Sequence, residues 1–131
     1  MDNKKITLEQ LIARKQQGER DKLKYKDIET PIGVLTVKKL PLTSVLRMMD
    51  SMGKNPNTSE SVELEKELIY KSCPIMQDKK LQEAYADEIV EPYDIVTAAF
   101  DDNVSTLSDI TDKIFEFYGL NNAEVEKEVK N

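Results

Sequence analysis

The 131-residue sequence contains no histidine. That removes the commonest general base, the histidine-assisted serine or cysteine nucleophile and every imidazole metal site. A single cysteine, Cys73, excludes an internal disulfide and suits a reducing compartment. Cys73 falls at the end of an expected helix, where the dipole raises a thiol pKa, so it reads as a core residue and not as a nucleophile. The four glycines are scattered at positions 18, 33, 53 and 119, so no glycine-rich phosphate cradle exists. No apolar run approaches the ~18 residues of a membrane span, and no charged n-region leads into an apolar h-region. The expectation is a protein that stays in the cytosol where it is made, its Asn57-Thr58-Ser59 and Asn103-Val104-Ser105 sequons never glycosylated.

What is present is polar and charged, with 39% apolar and 34% charged residues and a net charge of −6. This length and composition predict one globular domain with a modest core. The charge is unevenly spread. Residues 1–40 hold ten Lys/Arg against six Asp/Glu, whereas residues 41–131 hold nine against nineteen. A basic end and an acidic end permit head-to-tail contact between copies, although two solvated faces explain the same pattern.

Along the chain, Thr7 and Gln10 form a capping box before Leu8, Leu11, Ile12 and Lys15 at helical spacing, with Gly18 as the stop. Lys22 to Lys26 alternates charged and apolar side chains as a strand, and Thr30-Pro31-Ile32-Gly33 supplies turn chemistry. Val34 to Leu40 is the second strand of a hairpin that must pack on helices or on another copy. Pro41 stops it, and Thr43 or Ser44 is expected to cap a helix with Leu42, Val45, Leu46, Met49 and Met52 on one face. A loop over 53–59 precedes a helix from about Ser61 to Ser72, burying Leu64, Leu68, Ile69 and Cys73 while Glu63, Glu65 and Glu67 face water. Pro74 ends it.

Asp78 caps a short helix through Tyr85, and Pro92 opens another whose buried stripe is Ile95, Val96, Ala99 and Phe100. A last helix runs from about Val104 to Tyr118, with Leu107, Ile110, Ile114 and Phe117 or Tyr118 on one face and Gly119 at its C′ position. The expected fold class is α+β and mostly helical: a short N-terminal helix and β-hairpin, then a compact bundle of four to five short helices. Residues 1–119 form the domain (1–40 the helix plus hairpin, 41–119 the helical region), and 120–131 a flexible tail.

Two candidate chemistries fall to simpler readings. Asp101, Asn103, Ser105, Asp109 and Asp112 match positions one, three, five, nine and twelve of an EF-hand-like calcium loop, but Thr106 replaces the required glycine and Asp112 the bidentate glutamate. Capping of the last helix by Asp102 or Asn103 explains them better. The cluster Arg20, Lys22, Lys24, Tyr25 and Lys26 could touch phosphates, yet a pI near 4.8 and the acidic remainder repel a polyanion, so lysines guarding a strand edge are the better reading. Met48, Met49, Met52 and Met76 suit either core filling or an adaptable groove for partner helices. No catalytic, cofactor-binding or metal-binding residue is nominated.

Leu68-Ile-Tyr-Lys-Ser-Cys-Pro74, Lys80-Leu-Gln-Glu-Ala-Tyr85 and Glu91-Pro-Tyr-Asp-Ile-Val96 follow one another at fixed spacing. Leu11-Ile-Ala-Arg-Lys15 and Lys39-Leu-Pro-Leu42 precede them. In this order the pieces resemble the XkdN-like tail assembly chaperones of tailed phages and prophages, over nearly the whole chain. The resemblance implies a non-enzymatic protein of the host cytoplasm, absent from the mature virion. It implies a tape-measure protein as partner, kept soluble until the tail tube polymerises around it, with a frameshifted longer form in many relatives. Self-association is expected through the basic hairpin of one copy and the acidic helical region of the next, while the methionine-bearing helix or the tail engages the tape measure. The competing expectation is a structural tail or baseplate adaptor built into the particle. No nucleic-acid or membrane partner and no cofactor is expected.

Overall fold

In the computed structural model, which describes residues 5–16, 24–53 and 55–120, a helix and a hairpin precede a set of helices packed around one long central helix. The α+β, mostly helical architecture expected from the sequence is what the chain adopts. Gly18, Arg20, Lys22 and the 121–131 segment lie outside the described residues.

Helix α1 (Leu8–Gln16) begins with the expected capping box. The Gln10 amide donates to Thr7 Oγ1 at 3.2 Å, and the Thr7 amide donates to Gln10 Oε1 at 2.9 Å. No residue of α1 is buried. Strands β1 (Tyr25–Thr30) and β2 (Gly33–Lys38) then pair antiparallel, with Ile28 opposite Leu35 and Lys26 opposite Val37. The first strand thus runs on to Thr30, four residues past the Lys26 that its charge alternation suggests. The cause is the two-residue turn: Thr30 pairs with Gly33, so the six residues of β2 can only meet the six directly before Pro31. Thr30 Oγ1 donates to the Gly33 carbonyl at 2.7 Å, and Gly33 holds a φ of +133° that a side chain rarely adopts. Ile28, Leu35 and Val37 form the buried face.

Helix α2 (Leu42–Ser51) is preceded by Pro41 as N-cap, not by Thr43 or Ser44. The Pro41 carbonyl accepts from the Ser44 and Val45 amides at 2.9 and 3.3 Å, so the helix starts as soon as proline permits. It buries Val45 and Met48, and leaves Leu42 and Leu46 exposed. Helix α3 (Thr58–Ser72) starts three residues before the expected position because Asn57 and Glu60 make a capping box across the expected loop. Leu64, Leu68 and Ile69 are buried along it, and Cys73 just beyond, but so is Glu65, which the sequence pattern placed in water. Pro74 ends α3 as expected and opens a 3-10 turn, Pro74–Gln77.

Helix α4 (Lys79–Ala84) is capped by Asp78, whose carboxylate accepts from the Lys80 amide at 2.7 Å. A 3-10 turn at Pro92–Asp94 leads into α5 (Ile95–Ala99), which with Phe100 buries Ile95 and Val96; Ala99 is half-buried. Helix α6 (Val104–Glu116) is capped by Asn103, which accepts from the Thr106 amide at 3.2 Å. It buries Leu107, Ile110 and Ile114, and also Phe115 where Phe117 or Tyr118 was expected. Gly119, at φ +73°, closes it: Gly119 donates to Glu116 and Leu120 to Phe115, the paired bonds of a Schellman motif.

The core is therefore α3 wrapped by α5, α6, α2 and the inner hairpin face. Val45, Leu68, Ile69, Ile95, Val96 and Leu107 are wholly inaccessible to solvent. Tyr118 latches the hairpin exit to the end of α6, its hydroxyl accepting from the Leu40 amide at 2.6 Å, and Lys39 lies over the Phe117 and Tyr118 rings at 5.4 and 5.5 Å. Among the described residues no helix is long and apolar enough to cross a membrane.

Candidate functional site: a groove beside α3 and an uncovered helix

Two neighbouring recesses open between α2 and α3. One, of about 270 Å³, is lined by Ser51 of α2 and Met52 just beyond it, by Glu60, Glu63, Leu64 and Glu67 of α3, and by Glu91 and Tyr93. The other, of about 400 Å³, adds Ser44, Arg47, Met48 and Lys71. Both share Ser51 and Glu67, so they form one groove along the helix pair. The α2 wall is a single stripe at i, i+3, i+4, i+7 and i+8 (Ser44, Arg47, Met48, Ser51, Met52). The carboxylates Glu60, Glu63 and Glu67 likewise share one face of α3.

An ion pair between a buried lysine and a half-buried aspartate fixes the Tyr93 end. Lys66, 7% exposed, donates through Nζ to Asp94 Oδ1 at 2.5 Å and to Glu63 Oε1 at 2.9 Å. The other Asp94 oxygen accepts from the Val90 and Glu91 amides, both at 2.9 Å, so one carboxylate ties the 90–94 turn to α3. The Lys66 hydrogen bond and these backbone amides hold the Asp94 carboxyl at about 2. Burial pulls the Lys66 ammonium down, but its hydrogen bonds to Asp94 and Glu63 outweigh that and leave it above the ordinary lysine value. Tyr93 packs against Tyr70 with ring centroids 4.9 Å apart. At the other end Lys71 pairs with Glu67 at 2.8 Å.

The methionines differ in burial. Met48 and Met76 are buried core residues, while Met52 is half-buried on the groove wall. The carboxylates outnumber the cations here four to two, with Glu60, Glu63, Glu67 and Glu91 against Arg47 and Lys71. Periodicity alone hides this groove, because it needs the packing of α2 on α3.

The second exposed feature is α1. Ile6, Leu8, Leu11 and Ile12 are 73, 68, 55 and 46% exposed, a continuous apolar face on a helix that contributes nothing buried. Lys15 shares that face at the i+7 position from Leu8, and Arg14 flanks it.

The residues considered for other chemistry are occupied structurally. Asn103 caps α6, and Asp101 and Asp102 shape the preceding turn with φ of 58° and 57°. Among the described residues no group of three or more His, Cys, Asp or Glu is placed to hold a metal ion. Burial pushes the Cys73 thiol up to about 12, which keeps it protonated. Of the basic strand cluster, Lys26 already pairs with Glu116 of its own α6 at 3.8 Å. Glu65 lies against α6, its carboxyl raised first by burial and also by the charge of Asp112, and opposed by a hydrogen bond with Ser108.

The chain matches no protein-family model, no curated protein and no solved structure. Function has to be read from the surfaces just described.

Proposed function

We propose that this protein is a tail assembly chaperone of the XkdN-like kind, acting by binding and not by bond chemistry. It covers apolar surface on a tape-measure protein before the tail tube assembles, working in the host cytoplasm and leaving before the virion is complete. The observation that carries this reading is α1: a capped, preformed helix with Ile6, Leu8, Leu11 and Ile12 turned to solvent. A tape measure is a very long helical protein with apolar stripes, and a helix that presents i, i+3, i+4 anchors is the complement such a stripe takes. The negative net charge keeps many copies soluble on one client.

The ordered series Leu68–Pro74, Lys80–Tyr85 and Glu91–Val96 supports the same reading through its resemblance to that family. These segments build the end of α3, α4 and the Asp94 side of the ion pair, while Leu11–Lys15 of the same series lies in α1, so the resemblance takes in both the scaffold and the working surface.

Co-expression with the adjacent long, coiled-coil-rich reading frame tests the proposal. The long product is expected to become soluble and to co-purify with this chain, and to lose both with Leu11→Glu. A long product insoluble in the presence of the wild-type chain, or this chain stoichiometric in purified particles, contradicts it; the latter result is the one a tail or baseplate adaptor gives.

A further inference from the structure

We propose that α1 of one copy lies in the α2–α3 groove of a second copy, so that the protein self-associates head to tail. The groove and the helix match in three independent respects. In length, the α2 wall from Ser44 to Met52 and the nine residues of α1 each extend about 13 Å at ~1.5 Å per residue. In apolar surface, Leu8, Leu11 and Ile12 meet half-buried Met52, with the buried Met48 and Leu64 beneath it, and methionine repacks readily around a foreign side chain.

In charge, Lys5, Arg14 and Lys15 against Glu9 make the described part of the N-terminal segment cationic. The groove carries Glu60, Glu63, Glu67 and Glu91 against Arg47 and Lys71. Lys15 is the most telling side chain. A lysine on the apolar face of a helix needs a carboxylate when that face is covered, and Glu67 on the wall supplies it by sharing or exchanging its exposed neighbour Lys71.

The surface used differs from the hairpin expected from the sequence. Lys26 of the hairpin is drawn onto Glu116 of its own chain, whereas α1 keeps both its charge and its apolar face exposed. Because helix and groove lie on different parts of the same molecule, the contact is heterologous and generates a ring or an open array. It also masks α1 while no client is present.

Light scattering on the isolated protein, without any client, tests this. The wild type is expected to gain mass with concentration. Lys15→Glu or Glu67→Lys alone is expected to weaken association by about tenfold or more, and an equimolar mixture of the two to restore it, because every contact in the mixed array is again oppositely charged. Each variant's unfolding midpoint shows that it is folded.

As a direct reading of position, Leu11→Cys protein mixed with Ser51→Cys protein is expected to form a disulfide-linked dimer; the native Cys73 is buried and silent. Wild-type protein that stays monomeric at every concentration overturns the proposal. So does association that ignores Lys15→Glu, a mixture that fails to restore it, or a Leu11→Cys/Ser51→Cys double variant that closes only within one chain. None of these results bears on client solubility in co-expression, so the chaperone reading stands or falls separately.

Discussion

Helices α1 and α6 are both capped at their first turn by a side chain, yet they contribute to the molecule in opposite ways. In α6, Leu107, Ile110, Ile114 and Phe115 vanish into the core. In α1, none of nine residues does. Local sequence chemistry can therefore start a helix equally well in both places, but only tertiary packing ties one of them to the stability of the fold. A helix that forms without being needed for the fold is available for something else.

The core side of that contrast is sharpened most by Leu68→Ala. Leu68 is fully buried on the central helix, so a loss of about 3–5 kcal/mol in urea unfolding is expected. Leu11→Ala, the same chemical change on α1, is expected to stay within about 0.5 kcal/mol of wild type. A large cost for Leu11→Ala would break the comparison.

Next in size is Asp94→Ala. It leaves the Lys66 ammonium, its side chain 9% exposed, with Glu63 as its remaining carboxylate and frees the Val90 and Glu91 amides, at an expected cost of about 2–3 kcal/mol. The same pair gives a pH signature. With the Asp94 carboxyl held at about 2 against an unfolded value near 3.9, its contribution is complete above the unfolded value. It is lost as pH falls through about 2, an acid-limb loss on the order of 2 kcal/mol that Asp94→Asn should lack.

The caps themselves make a smaller, matched pair. Asn103→Ala is expected to cost about 1 kcal/mol globally, because α6 is part of the core. Thr7→Ala is expected to reduce helical circular dichroism while leaving the global midpoint in place.

Smallest is a gain. Burial and Asp112 raise the Glu65 carboxyl, so its ionisation costs stability above that raised value, and the cost disappears as pH falls toward the ordinary glutamate range. Glu65→Gln should therefore raise the melting temperature at pH 7 and lose that advantage by about pH 4, near the unperturbed glutamate value.

Much of this was legible from residues whose signals are local. Thr7 with Gln10, Asp78, Asn103, Pro74 and Gly119 each mark an element boundary through hydrogen bonds or backbone geometry reaching only a few residues along the chain. The Asn57–Glu60 box is equally local, but Gly53 and Pro56 beside it give the stretch the composition of a loop.

Other features depend on distant partners. Which face α2 buries is set by α3 and the hairpin, so Met48 goes inside and Leu46 outside although either stripe satisfies helical spacing. Glu65 is buried because α6 lies across it, which no pattern within α3 announces. The groove is not visible in either helix alone. The apolar stripe of α1 was visible, but its failure to find a place in the core was not.

Hydrogen–deuterium exchange of the α1 amides, residues 8–16, tests most directly whether this helix is held in reserve for a client. At a concentration where light scattering gives a single-chain mass, these amides should exchange far faster than those of α3 and α6, and soluble tape-measure protein should slow them selectively. Amides of α1 protected as strongly as the core in the monomer, or unchanged when the client binds, would contradict it.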